Sequence, residues 1–296
     1  MTEEEYKKEW LSGKHRTDYN DCRFSEDKVE YAKQWLKRRK NNIDFDNPKN
    51  IVDLIAKQKI KLITNKKYRS KCANLNDKCK VYTELNKLDM PDLLIPVINM
   101  FDCEQKDWNQ NLVSFLTNCK IKCILKLNCS SGWNETFVPG ISNINTIVEN
   151  FNTWCSLDYS YIAGAEMIYN SIPKKILVQK VICDDPLDYG FWCVNGKIEG
   201  ISLTKKLNKN VVRYLAFVNE DGKENKWRIG PKPEIQNLTK LQHNRILKML
   251  PIVNKLSKGL DFVRIDLYCV DDIIYFGEFT FCPSSGVLDY MEIEQN

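Results

Sequence analysis

Histidine is almost absent. His15 and His243 are the only two in 296 residues, and neither lies near an acidic or nucleophilic cluster, which argues against Ser-His-Asp and Cys-His catalysis. No CxxC pair occurs either. Cys119, Cys123 and Cys129 cluster, but most of the twelve cysteines sit in apolar segments as small core residues, so a zinc site is not expected. No apolar run approaches the length of a membrane span, and the opening MTEEEYKKEW lacks the apolar centre of a signal peptide. The expectation is a cytoplasmic chain with reduced thiols. Internal repeats and low-complexity segments are also missing. The net charge of +5 is spread among 39 acids, which fits an anionic ligand better than a nucleic-acid footprint. The basic run Lys37-Arg38-Arg39-Lys40 reads more readily as a solvated helix end than as a contact with a polymer.

What is present is an ordinary globular composition, 43% hydrophobic and 28% charged, in a chain long enough for one large domain or two smaller ones. Periodicity predicts helices over Val29–Lys40 and Ile51–Lys61, broken at Asp46-Asn47-Pro48, and another over Asp77–Lys87. Leu93–Met100 reads as a buried strand or turn interrupted by Pro96. Ile121–Leu127 alternates as a strand and runs into a small-residue turn, Asn128 to Gly132. Ile144–Leu157 follows as a helix with Asn145 or Thr146 as cap, then Ile176–Ile182 as a strand. Asn195-Gly196 marks a hairpin within Phe191–Thr204. Residues 206 to 235 are polar, with one more hairpin placed around Asp221-Gly222. Asn237–Lys258 is helical, with Leu241, Ile246, Leu250 and Val253 as its apolar positions and Gly259 as its stop. The irregular alternation of strands and helices indicates an α+β protein.

The segment with most to explain is Asp261–Gly286. Phe262–Cys269 and Ile273–Phe281 are rich in Val, Ile, Phe and Tyr and read as a hairpin, yet Arg264, Asp266 and Glu278 lie inside it. Residues of one parity share a strand face, so these charges meet only if paired numbers sum to an even total. A three-residue loop at 270–272 does this, setting Arg264 opposite Glu278 and Asp266 diagonal to it. A two-residue loop sends Glu278 to the other face. In the even register two carboxylates and a guanidinium crowd an apolar sheet, at a cost of several kcal/mol per unpaired charge. That suits Mg²⁺ holding a polyphosphate. A plain Arg264–Glu278 pair on a solvated face is the competing reading.

With Arg264, Asp266, Leu267, Tyr268, Tyr275, Phe276, Gly277, Glu278, Thr280, Phe281, Pro283 and Gly286, this hairpin closely resembles the TupA-like branch of the ATP-grasp superfamily. Upstream, Asp77-Lys78, Leu125-Lys126, Ser131-Gly132, Trp154, Tyr161, Glu166, Tyr169, Asp188-Tyr189 and Asn195-Gly196-Lys197 fall in the family's order, so the resemblance covers roughly residues 60 to 290. It implies an α+β ATP-grasp fold in which two α+β subdomains grip a nucleotide, preceded by a helical region. The implied boundaries are 1–60 for that region and 61–296 for the ATP-grasp domain, with a small lid at about 115–182 and a metal-binding part at 183–296. ATP and Mg²⁺ are the implied cofactors. Lys78, Lys126, Ser130, Ser131, Gly132, Gln179, Lys180, Ile182 and Asp188 would hold the nucleotide, Asp266 and Glu278 the metal, and Arg264 and Lys205 would serve catalysis.

The implied activity is an ATP-dependent ligase working through an acyl phosphate. It would join a small-molecule or saccharide carboxylate to an amine in polysaccharide synthesis, without nucleic acid. An ATP-binding regulator and a glycosyltransferase-like enzyme of the same pathway are the alternatives. Three positions depart from the family pattern. Gly190 stands where a Lys or Arg is usual, Gln179 where an acid is usual, and Cys129-Ser130 where His-Gly is common. Of these, Gly190 bears most on activity.

Overall fold

The computed structural model describes residues 28–37, 43–206, 212–229, 238–288 and 290–292. Two antiparallel sheets organise them. The smaller has the order β1 (Val97–Asp102), β4 (Lys175–Lys180), β2 (Cys123–Leu127), β3 (Asn134–Phe137). In the larger, β10 (Ile273–Thr280), β9 (Phe262–Val270), β5 (Leu187–Val194), β6 (Lys197–Lys206) and β7 (Val212–Val218) follow one another. β8 (Trp227–Ile229) and β11 (Tyr290–Glu292) form a separate ribbon. Among the described residues no helix is long and apolar enough to cross a membrane.

The helices are α1 (Lys28–Leu36), α2 (Ile51–Thr64), α3 (Lys66–Asn76), α4 (Val81–Lys87), α5 (Trp108–Asn118), α6 (Ile144–Ser156), the single turn α7 (Tyr159–Ile162) and α8 (Lys240–Leu256). Neither α3 nor α5 was expected. In α3 the long polar side chains obscure a narrow buried stripe of Cys72, Ala73 and Asn76. The cap of α6 is Asn143, whose side chain accepts from the Thr146 amide, in place of Asn145 or Thr146. Leu241 on α8 is exposed; Ile246, Met249, Val253 and Leu256 form the buried face. β1 begins only after Pro96, as the missing proline N–H requires. The turn at Asp221-Gly222 is present: the Asn219 amide donates to the Lys223 carbonyl, and Val218 bridges Glu224. His15 and the basic residues 38–40 lie outside the described residues.

One helix ties the N-terminal half to the last strands. α2 starts at an Asn50 cap and buries Ile51, Val52, Ile55, Ala56 and Leu62, each burial contributing about 1.5–3 kcal/mol for the larger side chains. It also buries three polar residues, Asp53, Gln58 and Lys59. The Gln58 amide donates to the carbonyls of Phe262 at 2.8 Å and Phe281 at 2.9 Å, so it bridges the start of β9 and the end of β10. Lys59, 1% exposed, donates to the Ser285 carbonyl at 2.9 Å and its hydroxyl at 2.6 Å. That loop holds Ser284, Ser285 and Gly286 at φ of 46°, 54° and 81°, a run of left-handed residues that needs such anchoring. The expected boundary at residue 60 therefore falls inside a continuous helix, and the one at 115 falls inside α5.

Replacing Gln58 by Leu keeps the volume but strands two buried carbonyls. Each costs about 1–3 kcal/mol. The urea unfolding midpoint should drop accordingly with an unchanged slope; an unchanged midpoint would show that the bridge carries no stability.

Candidate nucleotide and metal site

The β9–β10 connection is a two-residue turn, not the three-residue loop expected: Val270 pairs with Ile273, and Asp271 and Asp272 both take positive φ. That register alone would send Glu278 away from Asp266. A bulge corrects it. Pairing runs Phe276↔Leu267 and then Glu278↔Asp266, with Gly277 as the extra residue. Gly277 fits because a Cβ there would lie 2.9 Å from the Asp266 carbonyl oxygen and 3.0 Å from the Tyr268 ring. The even parity is thereby reached by a different route. Glu278 stands directly opposite Asp266, and Arg264 faces Thr280 in place of Glu278.

Arg264 grips Asp266 with two bonds, Nε to Oδ1 at 2.7 Å and Nη2 to Oδ2 at 2.5 Å. Its Nη2 also donates to Thr280 Oγ1 at 3.3 Å and lies 3.6 Å from Glu278 Oε1. Thr280 in turn donates to Glu278 Oε1 at 3.1 Å. Beneath the guanidinium, 5.5 Å away, is the Trp192 ring, whose N–H donates to Ser202 Oγ. Asp266 is only 2% exposed. Its pKa is raised because burial outweighs the stabilising charge of Arg264.

β5 places two more residues on this face, since Asp188 pairs with Tyr268 and Gly190 with Asp266. A Cβ on Gly190 would meet Ser202 Oγ at 2.7 Å, Asp266 Oδ1 at 3.1 Å and Arg264 Cδ at 3.4 Å. The position therefore has no room for a side chain, and the nearby cation is Arg264. Asp188 Oδ1 is buried without a hydrogen-bond partner. Burial first, then the charge of Asp266, hold its carboxyl well above the usual range. Lys205 does not join them: it pairs with Leu187 while the adjacent Thr204 pairs with Asp188, which puts Lys205 on the opposite face.

The small sheet meets this edge across a narrow cleft of about 50 Å³ lined by Lys78, Tyr82, Ile95, Lys126, Gln179, Tyr268, Gly277 and Glu278 among others. Lys126 and Gln179 share a strand face, because Ile124 pairs with Gln179 and Lys126 with Leu177. Gln179 donates to Tyr82 OH at 2.5 Å, leaving its buried Oε1 without a partner. Lys78 donates to the Ser130 carbonyl, and its pKa is lowered by burial against the opposing pull of Glu278.

The loop that Lys78 touches is held by Asn128. Asn128 Nδ2 donates to Asp77 Oδ1 and to the Pro173 carbonyl, both at 2.9 Å, and its Oδ1 accepts the Lys175 amide at 2.7 Å. Sequence reasoning missed this clamp; Asp77 was legible only as a helix opener. Within the loop, Ser130 is buried with its hydroxyl donating to the Leu127 carbonyl at 3.1 Å. Ser131 and Gly132 are exposed, Gly132 at φ +78°. The side chain of Lys180 is exposed while its amide donates to the Pro96 carbonyl at 2.9 Å, and Ile182 lies beyond β4, outside the cleft lining.

Beside the paired Asp266 and Glu278, the cleft is lined by Lys78 and Lys126. The TupA-like ATP-grasp family model matches residues 56–295, and the chain belongs to that family. No curated protein matches it. Similar solved structures include D-alanyl-alanine synthetase A from Vibrio cholerae, 13% identical over 72% of this chain and 57% of that one, TM-score 0.40. D-alanine–D-alanine ligase from Bacillus anthracis complexed with ATP is 14% identical, covering 70% and 55%, TM-score 0.40. L-amino acid ligase from Bacillus licheniformis is 13% identical, covering 85% and 53%, TM-score 0.42. The chain thus spans about half the length of these structures.

The raised Asp188 pKa has a consequence for stability. The folded chain holds this proton more tightly than the unfolded chain, whose carboxyl keeps an ordinary value near 3.8. Its contribution is therefore full below that pH and is lost as pH rises toward the folded pKa. Without ligand, Asp188→Asn should gain melting temperature relative to the parent between about pH 4 and 7. Parallel melting curves across that window would contradict the assigned burial.

Proposed function

We propose that the chain is an ATP- and Mg²⁺-dependent ligase that activates a carboxylate as an acyl phosphate and transfers it to an amine. The observation carrying this reading is the direct opposition of Asp266 and Glu278 beside the cleft that Lys78 and Lys126 line. Among the described residues no group of three His, Cys, Asp or Glu side chains is arranged to hold an ion. Mg²⁺ needs only one or two carboxylates plus substrate oxygens, so this pair fits it. When bound, Mg²⁺ would neutralise polyphosphate charge.

The chain's own residues would divide the remaining work. Lys78 and Lys126 would hold phosphate oxygens, and the exposed backbone of Ser131-Gly132 would approach them closely. Gln179 Oε1 offers a buried acceptor for an exocyclic amino group of the base. Arg264, already oriented by Asp266 and Trp192, would stabilise charge on the transferred phosphoryl group without any protein nucleophile. The substrates would be a saccharide or small-molecule carboxylate and an amine, with polysaccharide synthesis as the setting.

One observation favours a second reading, an ATP-binding regulator: Arg264 already occupies both oxygens of Asp266. The two readings separate in a phosphate-release screen with ATP, Mg²⁺ and a panel of uronic and amino acids. The ligase reading expects ADP formation that depends on the carboxylate, reduced at least about 100-fold by Asp266→Asn or Glu278→Gln. Thermal stabilisation by ATP with no product under any acceptor would favour the regulator. Full turnover in both variants would remove the metal assignment.

A further inference from the structure

A side-chain amide can be turned end for end at little steric cost, so a glutamine in a cleft presents an acceptor or a donor according to what holds its other end. Gln179 is held at one end. Its backbone is fixed in β4, opposite Val97 of β1 on one side and Ile124 of β2 on the other, and its side chain lines the cleft with 7% exposure. Nε2 donates to the hydroxyl of Tyr82 on α4 at 2.5 Å, and that hydroxyl donates to the Ile95 carbonyl at 2.8 Å. Among the described residues Oε1 has no partner.

The Ile95 carbonyl decides the direction of this relay. A carbonyl oxygen only accepts, so the single Tyr82 hydroxyl proton is committed to it, and the phenol oxygen has only lone pairs to offer Gln179. Turning the amide over would set Oε1 against that oxygen with no hydrogen between them, which leaves two buried acceptors unpaired. Burial keeps the phenol protonated, pushing its pKa up to about 12. A carboxylate at this position would need no such device, because both of its oxygens accept.

We propose that Tyr82 is a positioning residue that sets base selectivity: by locking the Gln179 amide against the Ile95 carbonyl, it makes the cleft take a purine with a 6-amino group and reject one with a 6-oxo group. This rests on the nucleotide reading above. A 6-amino group donates to Oε1, whereas a 6-oxo oxygen meets it as a second acceptor. Without the Tyr82 hydroxyl the amide is able to turn and suit either base.

The test is isothermal titration calorimetry of the full chain with Mg²⁺ and either ATP or ITP, whose bases carry 6-amino and 6-oxo groups. The parent should bind ITP at least about tenfold more weakly than ATP, and Tyr82→Phe should bring the two within about threefold. Adding Gln179→Glu to Tyr82→Phe should restore the preference, an outcome that a purely structural loss of the hydroxyl would not give. Equal binding in the parent, an unchanged ratio in Tyr82→Phe, or a ratio still lost in the double variant would overturn the inference while leaving a nucleotide site in place. A parent chain that binds neither nucleotide would remove the nucleotide reading, and this inference with it. Where Tyr82→Phe fails to fold, the parent labelled with ¹⁵N-glutamine decides: cross-peaks from the Gln179 Nε2 protons to the Tyr82 ring are expected, and their absence would overturn the assigned orientation.

Discussion

The structure depends on a carboxylate buried where the surrounding sheet is apolar and gripped there by a guanidinium. Asp266 sits on the central part of β9 between β5 and β10, almost wholly removed from solvent. An isolated carboxylate there would cost several kcal/mol in lost hydration. The bidentate guanidinium of Arg264 offsets much of that cost, and the Trp192 ring supports the guanidinium from below. Space for this arrangement comes from Gly190, where a Cβ would collide with Ser202 Oγ and crowd Asp266. Charge, ring and missing side chain form a single unit spread over two neighbouring strands.

Around that unit, the two sheets contribute opposite charge to one cleft. The large sheet brings Glu278, with Asp266 paired directly opposite it, and the small sheet with the α3–α4 corner brings Lys126 and Lys78. Buried polar ties fix these positions: Asn128 joins the loop to Asp77 and to β4, while Gln58 and Lys59 fasten β9, β10 and the left-handed turn after them. Such ties are costly when half made, so they favour one arrangement of the cleft walls over its alternatives.

Much of this was legible in the sequence, but not by the route it takes in space. Charged residues inside β-branched and aromatic runs marked the hairpin as a place needing explanation, and alternation marked the strand that carries Lys126. The turn was misread because Asp271-Asp272 lacks the glycine that usually signals a two-residue hairpin. The compensating bulge at Gly277 was invisible, since a glycine in a strand has several meanings and only the contact with Asp266 decides among them. Lys205 illustrates the converse: it stood in for the cation missing at Gly190, and a shift of one residue in the pleat turns it away. Long-range ties such as Gln58 to Phe281 leave no local pattern to read.

The central claim concerns where a divalent cation would sit, and diffraction locates it most directly. Crystals grown with Mn²⁺ and a non-hydrolysable ATP analogue should show an anomalous peak bonded to carboxylate oxygens of both Asp266 and Glu278, with Arg264 turned from Asp266 toward the terminal phosphate. An ordered nucleotide whose metal peak touches neither carboxylate would contradict the account.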